Sequence, residues 1–159
     1  MAVVDSSCII HLARIGKLRL LKEYFGRIKI TKEIEREITM EEKTASSEIK
    51  SCIGDWIMVK DAKANGRTEY ENLEKGDAQI IELARHDKDI LITNDAAIIL
   101  VARSLGIEVW WLTTFLLKCL KKGIIAKRDA KKILYELTQS GMRLSIEVYA
   151  AIEREMERM

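Results

Sequence analysis

Apolar residues alternate between short continuous runs and helix-spaced sets along most of the chain. Ala2-Val3-Val4 predicts a first strand, and from about Ser6 the pattern becomes Cys8, Ile9, Leu12 and Ile15, one face of a helix. Gly16 ends that helix, while Leu18, Leu21 and Phe25 mark a second, short one stopping near Gly26. Ile28-Lys29-Ile30 predicts a short strand, after which the Thr31 hydroxyl can cap a helix running through Met40. A helix over 45–53 follows, then Gly54-Asp55 and a strand at Trp56–Val59. Residues 60–75 are polar, hold an Asn65-Gly66 turn, and read as a loop into a helix that starts near Gly76-Asp77 and carries Ile80, Ile81 and Ala84. A strand at 89–93, a helix at 95–105 and a strand at 107–111 complete the alternation.

This succession predicts the α/β class, in three layers (α/β/α) around a central, mostly parallel sheet. The last third differs: 113–122, 127–140 and 145–157 all read as helices, split by Gly123 and Gly141. The expected organisation is one domain over 1–159, with 113–159 as a C-terminal helical extension that needs an apolar surface to dock on. Ile146, Tyr149, Ile152 and Met156 form a stripe for an intramolecular contact or for a protein interface.

Composition narrows the picture. A chain of 159 residues suits one sizeable core, and 48% apolar with 33% charged residues is ordinary for a globular protein. A net charge of +2 gives no ground for nucleic-acid binding, which leaves only local patches. The densest is Lys118, Lys121, Lys122, Lys127, Arg128, Lys131 and Lys132, either an RNA footprint or a solvated helix face. No apolar run is long enough to span a membrane, and the N-terminus lacks the pattern of a signal peptide. Cys8, Cys52 and Cys119 are odd in number and dispersed, as expected for buried thiols in a reducing, cytoplasmic setting. His11 and His86 are isolated and lack metal-site spacing. Of Trp110 and Trp111, one is expected in the core and the other at an edge, although either indole could stack a base.

Four acids sit where a strand ends or a helix begins: Asp5, Glu37, Asp77 and Asp95. Asp5, Asp77 and Asp95 precede helices, so capping explains each alone; Glu37, beside Glu33, Glu35 and Arg36, reads locally as solvated surface. Together they imply more. Parallel strand ends converge on the edge where α/β proteins bind ligands, and carboxylates gathered there repel one another unless a divalent cation lies between them.

Val3-Val4-Asp5-Ser6-Ser7, Ile34-Glu35-Arg36-Glu37, Gly76-Asp77-Ala78 and Thr93-Asn94-Asp95, in this order and spacing, resemble the motifs of PIN-domain proteins. Gly123-Ile124-Ile125 and the following helical pair resemble the relatives of the VapC toxins. That resemblance implies a PIN-like fold and a metal-dependent ribonuclease, often held inactive by an antitoxin. It makes Asp5, Glu37, Asp77 and Asp95 the acidic quartet, with Ser7 and Thr93 as the nearby hydroxyl positions. Thr31-Lys32 stand where the family often has a proline, Asp77 where a glutamate is frequent, and Trp110-Trp111 where small residues are common. The implied partners are RNA, an antitoxin and a second copy of the chain, with no membrane.

Phosphodiester hydrolysis by such a site calls for Mg²⁺ or Mn²⁺. Asp5 and Asp95 are then the direct ligands, Glu37 and Asp77 ligate or serve as general base, and Ser7, Thr93 and Asn94 orient carboxylates or waters. One-metal and two-metal chemistry are equally compatible with these residues. The competing readings are a catalytically inactive PIN-fold module that binds RNA or protein, and a phosphorylatable receiver-type switch. The receiver requires paired acids after the first strand and a lysine after the last, where this chain has Asp5-Ser6-Ser7 and Trp110-Trp111.

Overall fold

The computed structural model describes residues 1–40, 43–64 and 66–159. Its centre is a five-stranded sheet of β1 (Ala2–Val4), β2 (Ile28–Thr31), β3 (Ile57–Lys60), β4 (Ile90–Ile92) and β5 (Val109–Trp110), in the order β3-β2-β1-β4-β5. All four strand pairings are parallel, with Val3 in register with Lys29 on one side and Leu91 on the other. Parallel sheets are covered on both faces, which is why β1 and β4 are short runs of buried aliphatics and do not alternate apolar with polar.

From β1 the chain moves outward to β3 through α1 (Ser6–Arg14), α2 (Arg19–Phe25), α3 (Lys32–Thr39) and α4 (Lys43–Cys52). It returns past β1 to β4 through α5 (Lys75–Asp87), then reaches β5 through α6 (Ala96–Ser104). Right-handed crossovers send these two sets of helices to opposite faces, giving the α/β/α layers. The direction of travel reverses between β1 and β4, so a crevice opens there beyond the strand ends. The last helices, α7 (Leu112–Lys121), α8 (Lys127–Gln139) and α9 (Ile146–Arg158), pack on one another, and α7 also packs on β5.

The final strand is shorter than expected. Ile107 still donates its N–H to Ala102 and Gly106 turns with φ +76, so the chain is closing α6 where the pattern places a strand. The polar 60–75 segment contains a 3-10 turn, Thr68–Tyr70, and the Asn65 half of the expected Asn65-Gly66 turn lies outside the described residues. Of the α9 stripe, Ile152 and Met156 are buried and Tyr149 packs on the core, which makes it largely an intramolecular contact; Ile146 stays 84% exposed. No helix among the described residues is long and apolar enough to cross a membrane.

Two buried charged groups lie away from the crevice. Lys29 on β2 donates to Asp87 and Asp89, each at 2.7 Å. Glu82 on α5 accepts from the Tyr70 hydroxyl at 2.6 Å, from Arg67 at 3.0 Å, and from Arg85 through both carboxylate oxygens at 3.1 and 3.0 Å. Burial pushes the Glu82 carboxyl up, but the hydrogen bonds from Arg85 and Tyr70 and the charges of Arg85 and Arg67 outweigh it, leaving the carboxyl below the usual range. Glu82→Ala is expected to cost about 2–3 kcal/mol in urea unfolding, since it strands four donors on three side chains. A depressed carboxyl contributes stability that is full above its unfolded-state pKa and lost as pH falls through its folded value. Glu82→Gln should therefore flatten the loss of stability below pH 4.5, the ordinary glutamate value, compared with the wild type.

Candidate active site

Asp5 ends β1 and caps α1. Its carboxylate accepts the Ser6 N–H at 2.8 Å and the Thr93 hydroxyl at 2.8 Å, and its own N–H donates to Ile92 at 2.9 Å. Thr93 is fully buried, and the same Oγ1 accepts the Asp95 N–H at 3.1 Å. One hydroxyl thus ties the ends of β1 and β4 together. Asp95 caps α6 through Oδ1 alone, which accepts from Ala97 at 2.9 Å and Ile98 at 3.1 Å. Capping and facing the crevice are compatible for Asp5 and Asp95, because a cap needs only part of a carboxylate's capacity.

Asp77 is different. The expectation that it precedes its helix is corrected: α5 begins at Lys75, and Asp77 lies inside the first turn without a capping bond. The cap position belongs to Glu74, which also makes no side-chain capping bond. Glu37 is carried by α3, which Thr31 caps as expected by accepting the Ile34 N–H at 3.2 Å. The Glu37 carboxylate accepts the hydroxyl of Ser6 at 2.5 Å. Ser6 thus joins Thr93 as a hydroxyl bonded to the quartet, while Ser7, the position expected from the motif, is exposed and lines the crevice. Asn94 lines the crevice too, but its Oδ1 is occupied in accepting the Leu112 N–H at 3.0 Å at the start of α7.

All four predicted carboxylates line one crevice of about 570 Å³. Glu33 and Glu74, which the motif reading passed over, also line it. The Glu33 carboxylate sits so close to Gly76 that a Cβ there would lie 2.6–2.8 Å from it, so glycine lets this acid approach the start of α5. The C-terminal third adds Trp111, Thr113 and the Gly141–Leu144 loop, which brings Arg143, to the lining. Local sequence offered one signal for that loop, the Gly141 break between α8 and α9, and none that it folds back over the strand ends.

The electrostatics follow from this crowding. Burial pushes the Asp5 carboxyl up; hydrogen bonds from Thr93 and the Ser6 N–H oppose it, while Glu37 and Asp95 push it further. Asp77 is raised to about 6, first by burial and then by Asp5, Asp95, Glu74 and Glu37. The acids that push these carboxyls up are neighbours lining the same crevice. Oxygen donors whose mutual repulsion disfavours full ionisation suit a hard divalent cation. Among the described residues, however, no three His, Cys, Asp or Glu side chains form a ready-made ligand shell.

The basic stretch lies elsewhere, and none of its seven residues is among the described lining of the crevice. Lys118 sits 5.3 Å from the Trp110 ring and Lys122 4.3 Å from Tyr24, while Lys131 pairs with Glu157 and Lys132 with Glu136. The two tryptophans divide as expected. Trp110 is buried against Tyr24 and Phe25, whereas Trp111 lines the crevice.

No curated protein matches the chain. Its fold is similar to that of a PilT N-terminus domain protein from the hyperthermophilic archaeon Sulfolobus solfataricus, at 20% identity and a TM-score of 0.57, over 75% of this chain and 92% of that one. A family described as PIN domain matches residues 1–158, from the first strand to the end of α9. The chain belongs to the PIN-domain family.

Proposed function

We propose that the protein is a divalent-metal-dependent ribonuclease, with Asp5, Glu37, Asp77 and Asp95 as its reacting carboxylates, and that it is the toxin of a toxin–antitoxin pair. Family membership supports nuclease activity in general. The observation that carries the reading is the convergence of the four carboxylates on one crevice at the reversal point of the sheet, with Asp5 and Asp77 both raised. The toxin role rests on the resemblance of the C-terminal third.

Asp5 and Asp95 are the residues to hold Mg²⁺ or Mn²⁺, because caps on adjacent strand ends fix their backbones. A bound ion supplies charge relief on the phosphate and acidifies water. Ser6 fixes Glu37 at the rim by its hydroxyl, so that carboxylate is oriented before substrate arrives. Asp77, at about 6, lies in the range where a carboxylate exchanges protons efficiently near neutrality, the requirement for a base toward the attacking water. Thr93 keeps Asp5 in place with a donated hydrogen bond and takes no part in proton transfer.

Purified protein is expected to cut RNA with Mg²⁺ or Mn²⁺ and to stop when EDTA is added. Asp5→Asn and Asp95→Asn should each lower the rate at least about 100-fold while melting normally, since asparagine caps helices as well as aspartate. Induced expression should arrest growth with the wild type and spare it with Asp95→Asn. Full cleavage by both variants would remove the quartet from the chemistry, and chelator-independent RNA binding without any cleavage would leave a binding module.

Stability gives a separate test. A carboxyl raised in the folded state binds its proton more tightly there than in the unfolded chain, so it stabilises on acidification. Metal-free protein should therefore gain melting temperature as pH falls from 7 toward 5, through the Asp77 value of about 6. Asp77→Asn should weaken that gain and raise the metal-free midpoint by roughly 1–3 °C at pH 7.5. Saturating Mg²⁺ or Mn²⁺ should raise the wild-type midpoint by linkage.

A further inference from the structure

Resting on the ribonuclease reading, we propose that Arg143 and Trp111 form a nucleotide subsite that holds one phosphate and one unstacked base of single-stranded RNA in the crevice. The need for such a subsite is electrostatic. Among the described residues six carboxylates line the crevice (Asp5, Glu33, Glu37, Glu74, Asp77 and Asp95), and they repel an incoming polyanion. Arg143 is the one lysine or arginine among the described lining residues, and its side chain has no hydrogen-bond or ion-pair partner among the described residues. An exposed arginine that lines the same crevice as these acids, with no pairing to them among the described residues, keeps its guanidinium fork available for a phosphate, whose geometry it matches.

The loop that carries Arg143 is held in place. His11 shares a hydrogen bond with Ser140 at 2.8 Å, and Arg14 donates to the Ser140 carbonyl at 3.2 Å. Gly141 makes the reversal at φ +104, a backbone state that a side chain would strain. Met142 is buried and donates its N–H to Leu137 at 3.1 Å. His11 and Arg14 belong to α1, the helix that Asp5 caps, so one rigid element connects the carboxylate edge to the Arg143 loop.

Trp111 supplies the other half. Trp56 and Trp110 are 3% and 7% exposed, whereas Trp111 is 37% exposed on the crevice wall, just ahead of α7. An indole face left open to a crevice offers a stacking platform that accepts any base. A base reaches it only when it is unpaired and splayed from its neighbours, which selects single strands over duplex.

The test uses the full chain carrying Asp95→Asn, so that a fluorescein-labelled 12-nucleotide single-stranded RNA stays intact during anisotropy titration. Arg143→Ala should weaken binding about tenfold and reduce the slope of log Kd against log salt by about 0.7, the single-strand value for one phosphate contact. Arg143→Lys should restore the slope and only part of the affinity. Trp111→Ala should weaken binding roughly tenfold, and the tryptophan quench on binding should vanish in Trp111→Phe. In the active enzyme, Arg143→Ala should raise KM more than it lowers kcat, and a blunt duplex of the same sequence should compete poorly. Unchanged affinity and salt slope in Arg143→Ala, or a quench that persists in Trp111→Phe, overturns the subsite whether or not the enzyme cuts RNA. Binding with these signatures but no cleavage by the wild type keeps the subsite and removes the nuclease reading.

Discussion

The buried hydroxyl of Thr93 is the contact on which the crevice depends. It donates to the Asp5 carboxylate and accepts the Asp95 N–H, so it joins the ends of two adjacent parallel strands at the point where the sheet reverses direction. Without it, two carboxylates on separate strand ends would be free to move apart under their own repulsion. With it, their separation is set by the β1–β4 register, in which Val4 pairs with Ile92. The remaining acids are brought to that fixed edge from outside the strands: Glu37 by α3 and its Ser6 bond, Asp77 by the first turn of α5.

The C-terminal third completes what the sheet begins. Asn94, next to Asp95, spends its side-chain oxygen on the Leu112 N–H, so the strand end that carries an active-site candidate also starts α7. From there α7 and α8 lead back to a loop that is hydrogen-bonded to α1 at its start and lines the crevice. The helices after β5 therefore shape the site, a role that helical periodicity alone cannot reveal.

Much of the fold was legible because it is written in local pattern. Short aliphatic runs became β1 and β4, and Thr31 became the predicted cap of α3. The five-strand alternation followed, and so did the edge on which Asp5 and Asp95 fall. What was illegible depends on contacts distant in sequence. Ser6 and Ser7 are equivalent by spacing, and only the approach of α3, some thirty residues on, makes Ser6 the partner of Glu37. Glu33 reads as one more solvated acid until α5 brings Gly76 against it. Lys29 looks misplaced in a central strand until Asp87, at the end of α5, and Asp89, just before β4, reach it. The basic stretch reads by pattern as an RNA footprint or a solvated helix face, and three of its lysines meet neighbours within the chain, Lys118 and Lys122 over the rings of Trp110 and Tyr24 and Lys131 against Glu157.

Charge is partitioned between the two ends of the sheet, and this explains how the fold tolerates its own site. At the start of the strands, Asp87 and Asp89 share Lys29, and the terminal amine lies 3.8 Å from Asp89. On α5, Glu82 is matched by two arginines and a tyrosine. Those acids are neutralised within the chain and hold it together. At the other end, Asp5 and Asp77 rise because burial and the like charges of neighbouring acids act on them. The same residue type is thus a structural asset at one edge and an unrelieved repulsion at the other. Repulsion confined to a braced crevice is one that a divalent cation, or the uptake of a proton, can relieve without altering the fold, so ion binding and stability are two readings of one electrostatic imbalance.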